Sequence, residues 1–262
     1  MVYTKEYLTE QLRQMGLQPT DTLMVHSSMK SIGEVEGRAD TVIDTFMEYF
    51  AEGLFMTPTH TWRQMSETYN VFDPATEPAC VGIIPNLFMK RPGVLRSLHP
   101  THSIAAWGPD AASYIEGELD AKTPCPPEGC WGRLLERNAK ILLLGVTHAR
   151  NTFIHAVEEM YDVPERFTAA PVTFYVKMPD GSLKGTPVYR HYNEEWPHIS
   201  EEFDRMMEGY YATGAAKKVK FGDADCILCD CRKLYEVTGR ILAHNINCFL
   251  DVNPIPEDWY LE

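Results

Sequence analysis

Lys140-Ile141-Leu142-Leu143-Leu144-Gly145-Val146 is the stretch on which the fold turns. Four large aliphatic side chains in a row, closed by a glycine, have the length of a strand rather than a helix. Being apolar at every position, the run has no face for water, as in a central parallel strand covered by helices on both sides. Polar residues follow, Thr147-His148-Ala149-Arg150-Asn151-Thr152, and then a helical pattern from about Thr152 to Tyr161, with Asn151 as its expected N-cap. His155 falls in the first turn of that helix, where the helix dipole disfavours imidazolium and so favours a neutral ring able to accept a proton.

Working outward, Thr22 to His26 (TLMVH) and Leu54 to Thr57 are short apolar runs that read as further buried strands. Helices are expected over 4–15, with Thr4 as N-cap and Gly16 just past the end, and over 38–51. Shorter helical patterns lie near 81–90, 108–117 and 131–137. Residues 171–178 and 185–192 alternate around Met178-Pro179-Asp180-Gly181-Ser182, a hairpin signal. Helices near 199–211 and 230–243 and a terminal strand at 246–251 complete the chain. The expected fold class is α/β: a layered sandwich with a central mixed sheet flanked by helices, plus a late antiparallel hairpin. It reads as a single domain over 1–262, in which 166–262 could form a subsidiary acceptor-binding lobe.

Composition narrows the function. The 262 residues are 44% hydrophobic and 23% charged, enough for one sizeable core. The amphipathic start MVYTKEYLTEQLRQMG lacks the apolar run of a signal peptide, and no stretch approaches the roughly twenty apolar residues that span a bilayer. A soluble, cytoplasmic protein with no membrane partner is expected. A formal charge of −13 argues against nucleic acid, whose phosphates need basic clusters, and is compatible with a cationic substrate. Seven cysteines without a secretion signal argue against a disulfide framework. Cys226, Cys229 and Cys231 form a C-x-x-C-x-C run that would need a fourth ligand, Cys248, His198 or His244, to hold zinc. Reduced thiols on a loop and helix start are the preferred reading, so no metal is expected.

Common nucleotide, zinc-protease and hydrolase motifs are absent. Three polar stretches at or near strand ends are left. Val25-His26-Ser27-Ser28-Met29-Lys30-Ser31-Ile32-Gly33 offers hydroxyls and backbone N–H groups suited to phosphates and amides. Arg96-Ser97-Leu98-His99-Pro100-Thr101-His102-Ser103 is crowded with donors, though Pro100 would also stiffen a purely structural turn. The third is the Gly145–His155 stretch.

In order, HSS…SIG, FDPATEP…G, RS-x-HP-x-x-S…A-x-G and LLLGV-x-H-x-x-NT-x-x-H resemble the aminoglycoside 3-N-acetyltransferase family over about residues 1–165. The resemblance implies a cleft where acetyl-coenzyme A meets a polycationic aminosugar amine, with direct transfer and no acyl-enzyme. It implies that His155 is the base. It also implies that Ser27, Ser28 and Ser31 contact the coenzyme, and that Arg96, His99 and Ser103 belong to the same binding apparatus. Acidic residues of the later hairpin would orient the base. Here that segment reads Tyr189-Arg190-His191-Tyr192-Asn193-Glu194-Glu195, with Arg190 and His191 at or beside the places expected to be acidic. Glu194 is therefore the orienting candidate, followed by Glu195, with Glu158 and Glu159 three and four residues beyond His155 on its own helix. Thr147-His148-Ala149 also lacks an acid that antibiotic-modifying members usually carry.

Two alternatives stand beside direct transfer. Cys125 or Cys130 could carry an acyl group, although neither has a basic neighbour in sequence to lower its pKa. A coenzyme A-binding member could use a different amine acceptor, or none. A homodimer is compatible with the sequence.

Overall fold

The computed structural model describes residues 1–192, 195, 199–251 and 253–261, with the backbone alone for residues 199–201. Its centre is a seven-stranded mixed sheet in the order Ala216–Phe221, Ala224–Asp230, Lys140–Leu144, Thr22–Ser27, Leu54–Pro58, Ile104–Trp107 and Leu95–Arg96. Thr22–Ser27 runs parallel to both of its neighbours, and every other pairing in this sheet is antiparallel. Lys140–Leu144 lies in the interior of the sheet. Ile141 and Leu143 point into one core and Leu142 and Leu144 into the other, all four fully buried. That two-sided burial is why the run shows no alternation.

Helices Lys5–Gln14, Arg38–Tyr49 and Ile83–Phe88 cover one face, burying Leu8, Leu12, Val42, Phe46 and Phe88. Helices Phe153–Met160, Met207–Ala212 and Cys231–His244 cover the other; Tyr210, on the second of them, and Trp131 are buried in the same core. Thr4 caps the first helix, accepting from the Tyr7 N–H at 3.3 Å, and Gly16 beyond it has φ +84°. No helix among the described residues is long and apolar enough to cross a membrane.

Several elements depart from expectation. The late hairpin forms, as Val172–Lys177 and Leu183–Val188, but it builds a separate three-stranded sheet with Val71–Phe72. Residues 246–251 hold the short 3₁₀ turn Cys248–Leu250 instead of a strand. The 108–117 pattern shrinks to the single turn Ala111–Tyr114. The hairpin Ala216–Phe221/Ala224–Asp230, unforeseen in sequence, adds the last two strands to the central sheet. Its turn, Gly222-Asp223 with Gly222 at φ +59°, is a recognised two-residue signal. Lys217, Lys218 and Lys220 hide the strand pattern because this strand is the sheet edge, where charge blocks further pairing.

That hairpin also moves the start of the cysteine run from the expected loop onto a strand. Cys226 and Cys229 are on a strand, three residues apart, so they emerge on opposite faces of the sheet. Cys226 enters one core, while Cys229, Cys231 and Cys248 enter the other. The C-x-x-C-x-C run therefore cannot converge on one ion. Burial holds the Cys226 thiol up at about 11 and pushes the Cys229 and Cys231 thiols higher still. His244 stacks on Trp259 at 5.2 Å, and His198 lies outside the described residues.

Candidate active site

The parallel pairing of Thr22–Ser27 with Lys140–Leu144 sets the turns that follow them side by side. The Ser28 N–H donates to the Leu144 carbonyl at 2.8 Å, and Ser31 Oγ lies 3.0 Å from Ser28 Oγ and 3.3 Å from the Gly145 carbonyl. Two stretches far apart in sequence thus become one surface at the carboxyl ends of parallel strands, where open α/β sheets bind ligands. Ser27 Oγ sits there, buried and without a partner. Gly145 permits the contact: its φ is +65°, and an added Cβ would stand 2.4 Å from Ser31 Cβ. Gly145→Ala should destabilise the protein by about 1–3 kcal/mol through backbone strain and overpacking. A thermal melt unchanged from wild type would show that the turn yields freely.

The Arg96–Ser103 stretch turns its donors inward. Arg96 Nε donates to Thr59 Oγ1 and Ser103 Oγ, both at 3.2 Å, and Nη2 to the Thr59 carbonyl at 2.9 Å. Nη1 reaches the carbonyls of Glu77 at 2.5 Å and Pro74 at 3.3 Å, and the guanidinium lies over Phe72 at 4.9 Å. Burial lowers its pKa to about 10. Ser103 Oγ donates to the Thr59 carbonyl at 2.9 Å. His99 is fully buried: Nε2 donates to the Thr123 carbonyl at 3.1 Å, and Nδ1 accepts from the His102 N–H at 2.9 Å. All three residues brace the loops around the site.

His155 lies in the first turn of Phe153–Met160, whose N-cap is Thr152 rather than Asn151. The Asn151 amide turns instead to His148 Nδ1 at 3.2 Å. His155 Nδ1 donates to Glu158 Oε2 at 2.8 Å, and Arg166 Nε donates to the other oxygen, Glu158 Oε1, at 2.6 Å. Exposure falls along this line, from 12% for the His155 side chain to 1% for Glu158 and 2% for Arg166. Burial pushes the Glu158 carboxyl upward, but the hydrogen bonds and charges of His155 and Arg166 prevail and hold it below the usual carboxylate range. An ionised carboxylate bonded to Nδ1 fixes the ring and leaves Nε2 as the proton-accepting atom.

Glu159, one residue on, faces another set of partners. It accepts from Thr123 Oγ1, from the Cys125 N–H at 2.8 Å and from His191 Nε2 at 2.6 Å. Burial raises its carboxyl to about 7 and pushes the His191 imidazole well below its ordinary value. The His191 ring lies 4.2 Å from that of His155, and Phe203 meets His155 edge-on at 4.8 Å. Arg190 Nη2 donates to the Trp62 carbonyl at 2.7 Å. Glu195 is exposed, and Glu194 lies outside the described residues.

Sequence reasoning missed His60 and Trp131, and took in His102 only as one member of the donor-rich Arg96–Ser103 stretch. His60 stands 4.7 Å from His102 and 5.3 Å from Trp131, which also approaches His26 at 5.8 Å; His102 reaches His191 at 5.9 Å. Burial drives these imidazoles down, His26 to about 3 and the other two well below 6.5, so the inner wall of the site is neutral. Two of them sit just beyond strands, His60 after Leu54–Pro58 and His102 before Ile104–Trp107, which is the one signal that could have found them. Cys125 and Cys130 are fully buried, with thiols pushed well above 9 by burial and neighbouring carboxylates, the reverse of an activated nucleophile.

Several known proteins are similar to this chain. A type IV aminoglycoside N(3)-acetyltransferase from Salmonella is 33% identical over 62% of this chain, and the chain spans 61% of that enzyme's length. The YokD protein of Bacillus subtilis, described as a prophage-derived aminoglycoside N(3')-acetyltransferase-like protein, is 28% identical over 86% of this chain and 87% of its own. A crystal structure of a histidine-to-alanine variant of the acetyltransferase AAC(3)-IVa, in complex with a gentamicin, superposes with a TM-score of 0.81. It is 26% identical and covers 95% of this chain and 92% of its own. The family model for aminoglycoside 3-N-acetyltransferases matches residues 24–243, so this chain, with its strand-end serines and its helix-borne histidine, belongs to that family of acyltransferases.

Proposed function

We propose that the protein transfers an acetyl group from acetyl-coenzyme A directly to a primary amine of an aminoglycoside or similar polycationic aminosugar, with His155 as general base. The observation that carries this is the buried Arg166–Glu158–His155 line, which ends on a partly exposed ring. An aminosugar amine arrives protonated. His155 Nε2 takes that proton and passes it to solvent; the freed nitrogen attacks the thioester carbonyl and gives its next proton to the same imidazole. The C–S bond breaks to release the coenzyme as thiolate, to which the imidazolium returns that second proton, leaving a neutral amide. Glu158 keeps Nδ1 protonated and stabilises the imidazolium as it forms. Ser27, Ser28 and Ser31 supply the strand-end turn for the coenzyme, while Arg96, His99 and Ser103 hold its walls. The formal charge of −13 favours a polycationic acceptor, and the cytoplasm supplies the donor.

One observation favours a different amine acceptor within the same chemistry. His191, held neutral, and Arg190 stand on the hairpin side of the site, at or beside the places where the family resemblance leads one to expect acidic residues.

Acetyl-coenzyme A turnover, followed by released thiol against a panel of aminoglycosides and simpler diamines, tests the proposal. Intersecting double-reciprocal lines are expected from a ternary complex, and parallel lines would sink direct transfer. Ser28→Leu should raise the apparent KM for acetyl-coenzyme A severalfold with an unchanged melt. An unaltered KM would confine the serine turn to a structural role.

A further inference from the structure

Beside the His155 line, three side chains from separate parts of the chain turn one donor each toward a common point. They are the thiol of Cys125, the carboxylate of Glu159 and the imidazole of His191, whose donor atoms all lie within 4.8 Å of one another. Glu159 comes from the Phe153–Met160 helix, Cys125 from the loop before Trp131, and His191 from the segment bridged to Phe167. Cys125 is fully buried, and the side chains of His191 and Glu159 are 9% and 5% exposed. The His191 ring keeps Nδ1 buried with no partner.

Sulfur, imidazole nitrogen and carboxylate oxygen together form the donor set of zinc. Thiolate plus carboxylate would balance the two charges of the ion, as a site this deeply buried requires. Ligands of tetrahedral zinc stand about 3.3–3.7 Å apart, given bonds of about 2.0–2.3 Å. The ion would replace the 2.6 Å hydrogen bond between His191 Nε2 and Glu159 Oε1, parting those two atoms by about an ångström, within a group whose donors already lie inside 4.8 Å. Glu159 is already oriented for the task, because Thr123 Oγ1 and the Cys125 N–H hold its two oxygens. A nucleophilic role for Cys125 fits less well, since a nucleophile must reach its substrate and this sulfur is sealed from solvent.

We propose that Cys125, Glu159 and His191 bind one zinc ion through three protein donors, leaving a fourth position open. The site is distinct from the C-x-x-C-x-C run, and it stands whether or not the acetyl-transfer proposal does.

The test uses the full chain and the metal itself. Protein purified without chelator, or stripped and titrated with zinc against a chromophoric competitor, should hold about one zinc per chain. Cys125→Ser and His191→Asn should each lose at least about tenfold in zinc affinity, and Cys229→Ser should lose none. Cobalt offered to the stripped wild-type protein should give a thiolate-to-metal charge-transfer band that Cys125→Ser abolishes. This readout needs only the near-isosteric variant, so it survives a misfolded His191→Asn. Failure to bind either added metal overturns the proposal. So does a cobalt complex without the thiolate band, or a zinc affinity indifferent to Cys125→Ser.

Discussion

His155→Ala is expected to lower kcat by about two to four orders of magnitude, while affinity for acetyl-coenzyme A stays near wild type. The size follows from what the ring does. Without a base at that point the acceptor amine remains an ammonium ion with no lone pair to give. The remaining rate comes from the minor neutral fraction and from the binding of two substrates side by side. Truncation removes a partly exposed ring and leaves the buried Glu158–Arg166 pair intact, so folding should survive. His155→Gln is the sharper companion, keeping a side chain of similar reach that cannot take up a proton. Both variants should be assayed by steady-state kinetics beside a thermal melt. Near-normal turnover in a folded alanine variant would reduce His155 to a structural residue.

The second large effect is on stability. Arg166→Met removes the guanidinium that faces Glu158 from a site where both side chains are nearly sealed. Breaking a buried pair from one side leaves an uncompensated charge, at a cost of about 3–5 kcal/mol. For a chain of this length that should appear as a melting temperature lower by very roughly 6–20 °C, in scans or in denaturant titration. Arg166→Lys should recover part of the loss by restoring a charge without the guanidinium geometry. The double change Arg166→Met with Glu158→Gln should cost less than the sum of the single changes, because the stranded charge is gone. A loss below about 1 kcal/mol in the single variant would mean that Glu158 finds water or another donor when Arg166 is removed.

Much of this was legible in the chain of letters, and for physical reasons. Ile141 to Leu144 read as a central strand because burial on both faces leaves no polar position. His155 stood out because a strand, a polar loop and a first helical turn come in one continuous register. Glu158 could be named because three residues along a helix bring side chains to one face. Arg166 could not, since its bond to Glu158 depends on the path of the loop after the helix. Nor could the Cys125–Glu159–His191 group, whose members meet only through tertiary packing. Arg96 shows the opposite case: a donor-rich residue in a conspicuous motif, it turns its guanidinium to the carbonyls of its own fold, which the sequence does not reveal. Glu194, the orienting residue expected from sequence, lies outside the described residues, and Glu158 holds His155 Nδ1.

The parallel pairing at the middle of the sheet also governs how the chain can be made. Ser31 and Gly145, which meet in the finished site, are 114 residues apart. A ribosome adding about 5–20 residues per second needs roughly 6–23 s to cover that distance. For most of that interval, once Leu54–Pro58 has been made, Thr22–Ser27 has that strand available on one side and an open edge on the other. Such an apolar edge invites pairing with a neighbouring nascent chain. The protein's yield in cells should therefore depend on growth temperature and on chaperones that shield early strands, more than its final stability would suggest.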